Sequence, residues 1–169
     1  MSRYRIGSGT DVHRLVVGRP LMLGGIEVPF GRGLEGHSDG DCLIHAVCDA
    51  LLGAVGAGDM GRHFPSSDPK WKGVSSRLFL EETARLLGES GWVVENVDAT
   101  IVAQAPALAP LLDRMRDAVA RSLRLEVEAV SIKAKSADEL GAIGRGEGIA
   151  ANAVALVRRS AEPPDAIRG

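Results

Sequence analysis

The stretch DCLIHAVCDALLGAVG, residues 41–56, has the periodicity of an amphipathic helix. Four of its apolar residues recur at offsets of three and four and form one face: Ile44, Val47, Leu51 and Val55. His45 lies one turn after Asp41 and one turn before Asp49, so these three residues form a polar stripe beside that face. Ser38, three residues before Asp41, completes a pattern that resembles a capping box at the start of the helix.

Strands and helices alternate on both sides of this helix. The sequence predicts strands at about 4–9, 21–23, 26–29, 97–105, 130–135 and 149–157. It predicts further helices at about 75–88 and 107–124, whereas the glycine-rich segments 58–73 and 141–148 are predicted loops. The class is therefore α/β or α+β, and a sheet covered by helices on one face is the simplest packing.

The composition is that of an ordinary globular protein, with 169 residues, 45% of them hydrophobic, and a net charge of −2. We expect residues 1–159 to form a single domain and residues 160–169 to form a flexible C-terminal tail. No basic stripe suggests nucleic-acid binding, no apolar stretch is long enough for a membrane span, and no secretory signal is apparent. We therefore expect a cytoplasmic protein, with Cys42 and Cys48 as buried, unbridged thiols.

Asp11 and His13 lie two apart in the segment TDVH, at the end of the first predicted strand. Strand geometry would put both side chains on one face, and His45 would add a second imidazole if the helix meets the strand. One carboxylate and two imidazoles with an open position suit zinc, and iron is the competing metal. Asp41 or Asp49 could orient an imidazole from behind, while each of these residues taken singly is also compatible with a purely structural role.

Two segments have features that attract phosphate. His37 and Ser38 precede the helix at 41–56, and the N-terminus of a helix presents free N–H groups to an anion. Glycines surround Arg145 in the segment GRGEG, 144–148, and Lys133, Lys135 and Ser136 end the preceding strand. A glycine-rich turn without a ligand and solvated lysines remain the simpler interpretation of the second segment.

Five motifs occur in one order along the chain: D-V-H at 11–13, H-S-D-G-D-x-x-x-H at 37–45, F-P-x-x-D at 64–68, A-Q-A-P at 103–106 and G-R-G-E-G at 144–148. Together they resemble the 2-C-methyl-D-erythritol 2,4-cyclodiphosphate synthase family of the non-mevalonate isoprenoid pathway, over about residues 5–158. The resemblance implies an α+β subunit with a mixed sheet and helices on one face. It also implies a homotrimer with active sites between subunits, and a phosphorus–oxygen lyase that cyclises a cytidine diphosphate-linked substrate and releases CMP.

The resemblance also implies roles for particular residues. Zinc would be held by Asp11, His13 and His45, and a second divalent ion, Mg²⁺ or Mn²⁺, would lie near Asp138. His37 and Ser136 would be catalytic. The remaining contacts to substrate would come from Asp11, His13, His37, Ser38, Asp59, Gly61, Phe64, Ser66, Asp68, Ala103, Pro106, Ala107, Leu108, Ala109, Lys135, Ser136, Ala137, Asp138, Ala142 and Arg145.

The sequence departs from the family pattern at a few positions. Ser136 stands where Thr is usual, and Asp138 stands where Glu commonly reaches the second metal, with Glu139 as a possible substitute. Thr10 and Ala142 replace residues that are aromatic in some members near the trimer axis, so we do not expect an isoprenoid diphosphate to bind there. His63 and Trp71 are expected to be packing or surface residues.

Two other functional classes fit the residues alone. A zinc hydrolase would use the open metal position for water and would give an acyclic product. A non-enzymatic nucleotide-binding module would bind without turnover. The products formed from the natural substrate separate these three possibilities.

Overall fold

The computed structural model describes residues 3–161, and its centre is a five-stranded mixed sheet. The strands are β1 (Tyr4–Val17), β4 (Arg32–Leu34), β5 (Trp92–Val102), β6 (Val130–Lys135) and β7 (Gly148–Arg159), in the spatial order β4-β1-β7-β5-β6. The β5–β6 pair is parallel and the other pairs are antiparallel. A separate hairpin consists of β2 (Leu21–Leu23) and β3 (Ile26–Val28).

Three long helices pack on one face of the sheet: α1 (Cys42–Val55), α3 (Ser76–Glu89) and α4 (Leu112–Leu123). Two single-turn helices, α2 (Met60–His63) and α5 (Gly141–Gly144), lie in the segments predicted as loops. The mixed sheet with helices confirms the predicted fold class. On the opposite face, Ile6, Val12 and Val154 are exposed at 71%, 61% and 47%, so no element within residues 3–161 covers them.

The packing of α1 on the sheet depends on small residues. A Cβ atom on Gly9 would lie 2.1 Å from the carbonyl oxygen of Ala46, and one on Gly7 would lie 2.0 Å from that of Ala50. Both glycines therefore let the helix backbone approach β1 more closely than any side chain would allow. Because side chains alternate along a strand, the same face of β1 continues with Asp11 and His13, under the start of α1.

The start of α1 is fixed by Asp41, which is completely buried. Its carboxylate accepts hydrogen bonds from the N–H groups of Ile44, Gly24 and Gly25, so it caps the helix and ties it to the β2–β3 turn. The predicted capping box at Ser38 is wrong, because Asp41 itself is the cap. α1 is also buried around most of its circumference, because β1 and β7 cover one side and α3 covers another. Val55, predicted on the apolar face, is only half-buried.

Element boundaries differ from the predictions where tertiary pairing outweighs local sequence. β1 continues to Val17 instead of ending near residue 9, because it pairs with β7 and then with β4, which was not predicted. β5 runs over Trp92–Val102 instead of 97–105, and the helix predicted at 107–124 begins only at Leu112, after a 3₁₀ turn at Ala109–Leu111. Residues 162–169 of the predicted tail lie outside the described residues, and the single domain stays a prediction.

Two composition-based expectations concern the thiols and the membrane. Cys42 and Cys48 are free and buried, as predicted. Within residues 3–161, we find no helix with the length and apolar character needed to span a membrane.

Candidate active site

Asp11, His13 and His45 bring three ligand atoms together where β1 passes beneath α1. Asp11 Oδ2 lies 2.8 Å from His13 Nε2 and 3.0 Å from His45 Nδ1, and the two ring nitrogens are 3.2 Å apart. Asp11 and His13 lie within β1 and not at its end as predicted, but their spacing of two puts both side chains toward the helix, as expected.

The triangle of donor atoms fits a divalent metal. In a tetrahedral zinc site with bonds of about 2.0 Å, ligand atoms are separated by roughly 3.3 Å, close to the three distances here. One carboxylate and two imidazoles supply three ligands and leave a fourth position for an exogenous oxygen. The side chains of Asp11, His13 and His45 are 26%, 19% and 14% exposed, so this position remains accessible.

The electrostatics of the triad favour a positive charge at its centre. Burial by itself would raise the pKa of Asp11, but hydrogen bonds and charge from His13 and His45 lower that pKa well below its usual range. Burial would lower the pKa of His13, but its hydrogen bond and charge interaction with Asp11 raise it above 6.5. A proton on His13 and a metal ion would therefore compete for the same place.

Each imidazole is also held on the side away from the triad. His13 Nδ1 makes a short hydrogen bond with the backbone oxygen of Glu35, and His45 Nε2 lies 3.0 Å from Ser76 Oγ. Neither Asp41 nor Asp49 takes the alternative role of orienting an imidazole. Asp41 binds backbone N–H groups at the helix start, and Asp49 accepts a hydrogen bond from the N–H of Met60.

The predicted phosphate-binding pair, His37 and Ser38, lies beside the triad. His37 is exposed, whereas Ser38 is buried and its hydroxyl lies 3.2 Å from His45 Nε2. Arg19, which sequence reasoning missed, donates hydrogen bonds to the carbonyl oxygens of Gly36 and Ser38 at 2.9 and 2.6 Å. Arg19 therefore fixes the loop, and only its proximity in the fold reveals this role.

The predicted substrate contacts in residues 59–68 occupy two different environments. Asp59 caps α2, Asp68 caps the following 3₁₀ turn, and Gly61 and Ser66 are exposed. Phe64 is buried, with its ring centroid 4.9 Å from that of Phe79 and 5.2 Å from that of Trp71. Trp71 and His63 are packing residues here, as expected, since His63 contacts the backbone oxygen of Ala57.

The remaining predicted residues gather near the ends of β5 and β6. Ser136 Oγ accepts a hydrogen bond from the N–H of Asp138 at 2.9 Å, and Gln104 Oε1 accepts one from the N–H of Glu139 at 3.1 Å. Asp138 and Glu139 have φ values of 48° and 61°, a conformation that side chains disfavour. Gln104, which lies within the run 103–109 expected on the cytosine side, therefore anchors this loop together with the hydroxyl of Ser136.

Other residues of this second cluster are mostly exposed. Lys135, Ala142 and Arg145 face solvent, and Arg145 pairs with Glu147 at 2.6 Å. Lys133 pairs instead with Asp98 on the neighbouring strand, so it does not join the cluster. Of the predicted cytosine-side residues, Ala103 and Leu108 are buried, Pro106 follows a cis peptide bond and is half-buried, and Ala107 and Ala109 are exposed; Ala137 is half-buried.

Ser136, at the end of β6, lies far from Asp11 within one chain. Asp11 pairs across the sheet with Ala151, Ala151 with Ile101, and Ile101 with Ala134, which is two residues before Ser136. Three strand spacings separate Asp11 from Ala134, which amounts to about 14 Å. A single phosphate group cannot contact both Asp11 and Ser136 of the same subunit.

A family model described as the YgbB family matches residues 4–158, nearly the whole described chain. The chain belongs to the YgbB family. A curated relative from Burkholderia mallei (strain SAVP1), named 2-C-methyl-D-erythritol 2,4-cyclodiphosphate synthase, is 54% identical over 158 residues, which cover 94% of this chain and 98% of that protein.

Solved structures show the same fold as this YgbB chain. A 2C-methyl-D-erythritol-2,4-cyclodiphosphate synthase in a form with CDP bound is 38% identical, with a TM-score of 0.84 and coverage of 90% of this chain and 99% of that one. The bifunctional IspDF from Campylobacter jejuni is 36% identical, with a TM-score of 0.89 over 92% of this chain. The YgbB chain spans 42% of that longer protein.

Proposed function

We propose that the chain converts 4-diphosphocytidyl-2-C-methyl-D-erythritol 2-phosphate into 2-C-methyl-D-erythritol 2,4-cyclodiphosphate and CMP. An oxygen of the 2-phosphate attacks the β-phosphorus, and the bond from that phosphorus to the bridging oxygen breaks. CMP leaves with the bridging oxygen, and the diphosphate closes into an eight-membered ring. The convergence of Asp11, His13 and His45, in a chain whose curated relatives carry the synthase name, is the observation that supports this reaction.

The chain's own residues would supply positioning and charge neutralisation, because nucleophile and electrophile are anionic parts of one molecule. Asp11, His13 and His45 would hold zinc, which when bound polarises the phosphoryl group. His37 would stabilise the transition state, and Arg19 would fix the loop that carries His37 and Ser38.

The second cluster would complete the site from a neighbouring subunit. Lys135 and Ser136 would hold the diphosphate, Asp138 would approach a second divalent ion, Mg²⁺ or Mn²⁺, and residues 103–109 would receive the cytosine. Within one chain about 14 Å separates Asp11 from Ala134, near Ser136, which favours a site shared between subunits. The CDP bound to a related synthase is consistent with a cytidine ligand.

A homotrimer would also cover the open face of the sheet. Ile6, Val12 and Val154 are exposed there, although residues of this kind are usually buried in an isolated subunit. Thr10 and Asn152 form a 2.8 Å hydrogen bond on the same face. We propose that this polar pair makes the trimer axis a poor site for an isoprenoid diphosphate, and that the trimer acts in the cytoplasm.

Phosphorus NMR of the products tests the reaction. Purified protein with zinc, magnesium and substrate should give two ring-diphosphate signals and CMP. His45→Ala should lose turnover by at least a factor of about 10³, because it removes one of three metal ligands. His63→Gln is the matched control, since this histidine contacts the backbone oxygen of Ala57 and is not one of the three triad residues, and it should keep activity near that of the wild type.

The same spectra separate the alternatives. CMP with a linear diphosphate product would mean that the protein is a hydrolase. Binding of CDP without turnover in the wild type would leave only a nucleotide-binding module.

A further inference from the structure

The imidazole of His45 is held from behind by a hydroxyl group and a carboxylate. Its Nδ1 faces Asp11 Oδ2 at 3.0 Å, and its Nε2 lies 3.0 Å from the hydroxyl oxygen of Ser76. Ser76 is completely buried at the start of α3. Asp39 accepts two hydrogen bonds from Ser76, one from its backbone N–H at 2.9 Å and a short one from its hydroxyl.

The positions of the protons follow from what each group can donate. An ionised carboxylate only accepts, so the single hydroxyl proton of Ser76 is donated to Asp39. The oxygen of Ser76 then faces His45 with a lone pair and can only accept a hydrogen bond from it. The donor must be Nε2 of the ring, which therefore carries a proton. A neutral imidazole protonated at Nε2 has its free lone pair on Nδ1, the atom that faces the centre of the triad.

We propose that Asp39 and Ser76 are positioning residues that hold His45 in the tautomer whose Nδ1 binds a divalent cation. The inference rests on the proposed metal site and extends it to α3, because Ser76 begins a helix that provides none of the three ligands. Hydrogen bonds of this kind fix the orientation of a ligand imidazole and strengthen it as a donor. Ser38 Oγ, 3.2 Å from the same nitrogen, is the competing partner.

Zinc affinity, measured by competition with a chromophoric chelator, tests this arrangement. Ser76→Ala should weaken zinc binding by about 10- to 100-fold, the usual effect of losing the hydrogen-bond partner of a ligand imidazole. Ser75→Ala is the matched control, because Ser75 is exposed and its hydroxyl accepts a hydrogen bond from the N–H of Arg77, away from His45. It should leave zinc affinity unchanged.

Three outcomes would overturn the inference. Equal zinc affinity of Ser76→Ala and the wild type would exclude the role of Ser76, and the same loss in Ser75→Ala would reduce it to a general effect on α3. A loss in Ser38→Ala alone would assign the role to Ser38. If the wild type itself does not bind zinc, the proposed metal site fails first, so the two failures are distinguishable.

The wild-type protein gives a second test that does not depend on a variant folding. In ¹⁵N-labelled, zinc-loaded protein, long-range ¹H–¹⁵N spectra should show His45 protonated at Nε2 and metal-bound through Nδ1. The opposite tautomer would contradict the proton order deduced from Asp39 and Ser76. Asp39→Asn should weaken zinc binding in the same direction as Ser76→Ala, and unchanged affinity would remove Asp39 from the arrangement.

Discussion

Asp11, His13 and His45 are held by close packing and by hydrogen bonds on their outer sides, whereas Ser136 and Asp138 lie on an exposed loop anchored mainly by Gln104. The triad has its ligand geometry within a single chain. The loop exposes the side chains of Ser136 and Asp138 to solvent, and the Ser136 hydroxyl is bonded only within the loop's own surroundings, to the N–H of Asp138 and to Gln104. The contrast fits the proposal that one half of the site is preorganised by folding and that the other is completed by assembly and ligand binding.

Gly9→Ala should disrupt the geometry of the triad of Asp11, His13 and His45. The added methyl carbon would lie 2.1 Å from the oxygen of Ala46, so α1 would have to move away from β1. We expect the free energy of unfolding to fall by about 1–3 kcal/mol, as in other overpacked sites, with a loss of zinc affinity. Urea denaturation and chelator competition would measure the two effects.

Gly53→Ala is the control on α1, the helix that packs against Gly9 of β1. A Cβ atom there would lie 3.8 Å from its nearest neighbour, the oxygen of Ser8, which is an ordinary contact. The free energy of unfolding of this variant should rise by about 0.5–1 kcal/mol, because alanine has a higher helix propensity than glycine. Equal destabilisation by both substitutions would mean that close approach at Gly9 does not determine the triad geometry.

Asp138→Glu tests the second half of the site, the exposed loop that carries Ser136 and Asp138. The side chain gains one methylene group, so its carboxylate should reach the proposed second ion more directly and raise Mn²⁺ affinity severalfold without changing zinc affinity. Electron paramagnetic resonance of bound Mn²⁺ in the presence of CDP would measure the change. Glu139→Gln is the comparison, and a larger loss there than in Asp138→Asn would transfer the role to Glu139.

The smallest expected effect is on the reactivity of the two thiols of α1, the helix that carries His45. Burial raises the pKa of both Cys42 and Cys48, so each stays protonated and unreactive in the folded protein at pH 8. Ellman's reagent should detect both thiols only after unfolding. Rapid labelling of the native protein would show that α1 opens readily and that the triad is less rigid than its packing indicates.

Local periodicity was sufficient to predict α1, whereas the meeting of Asp11, His13 and His45 was predicted only through the resemblance to the family, because periodicity does not show that a strand and a helix meet. A spacing of two on a strand and a helical polar stripe each put their side chains on one face. The contributions of Ser76, Arg19 and Gln104 were not predictable, because each acts across a contact between segments distant in the sequence. The length of β1 was missed for the same reason, since pairing with β7 extends it through polar residues.

Mixing two inactive variants would show whether one active site uses the triad of one subunit and the loop of another, as proposed. His45→Ala and the double variant Lys135→Ala/Ser136→Ala should each be inactive alone. The two variants would then be co-expressed, or unfolded and reassembled together. Random assembly of a trimer should restore about one quarter of the sites, because each site needs one intact half from each of two subunits. Recovery of turnover near that fraction is the expected result. Mixed assemblies that remain inactive, while wild-type subunits treated in the same way recover fully, would mean that the site is not shared between subunits.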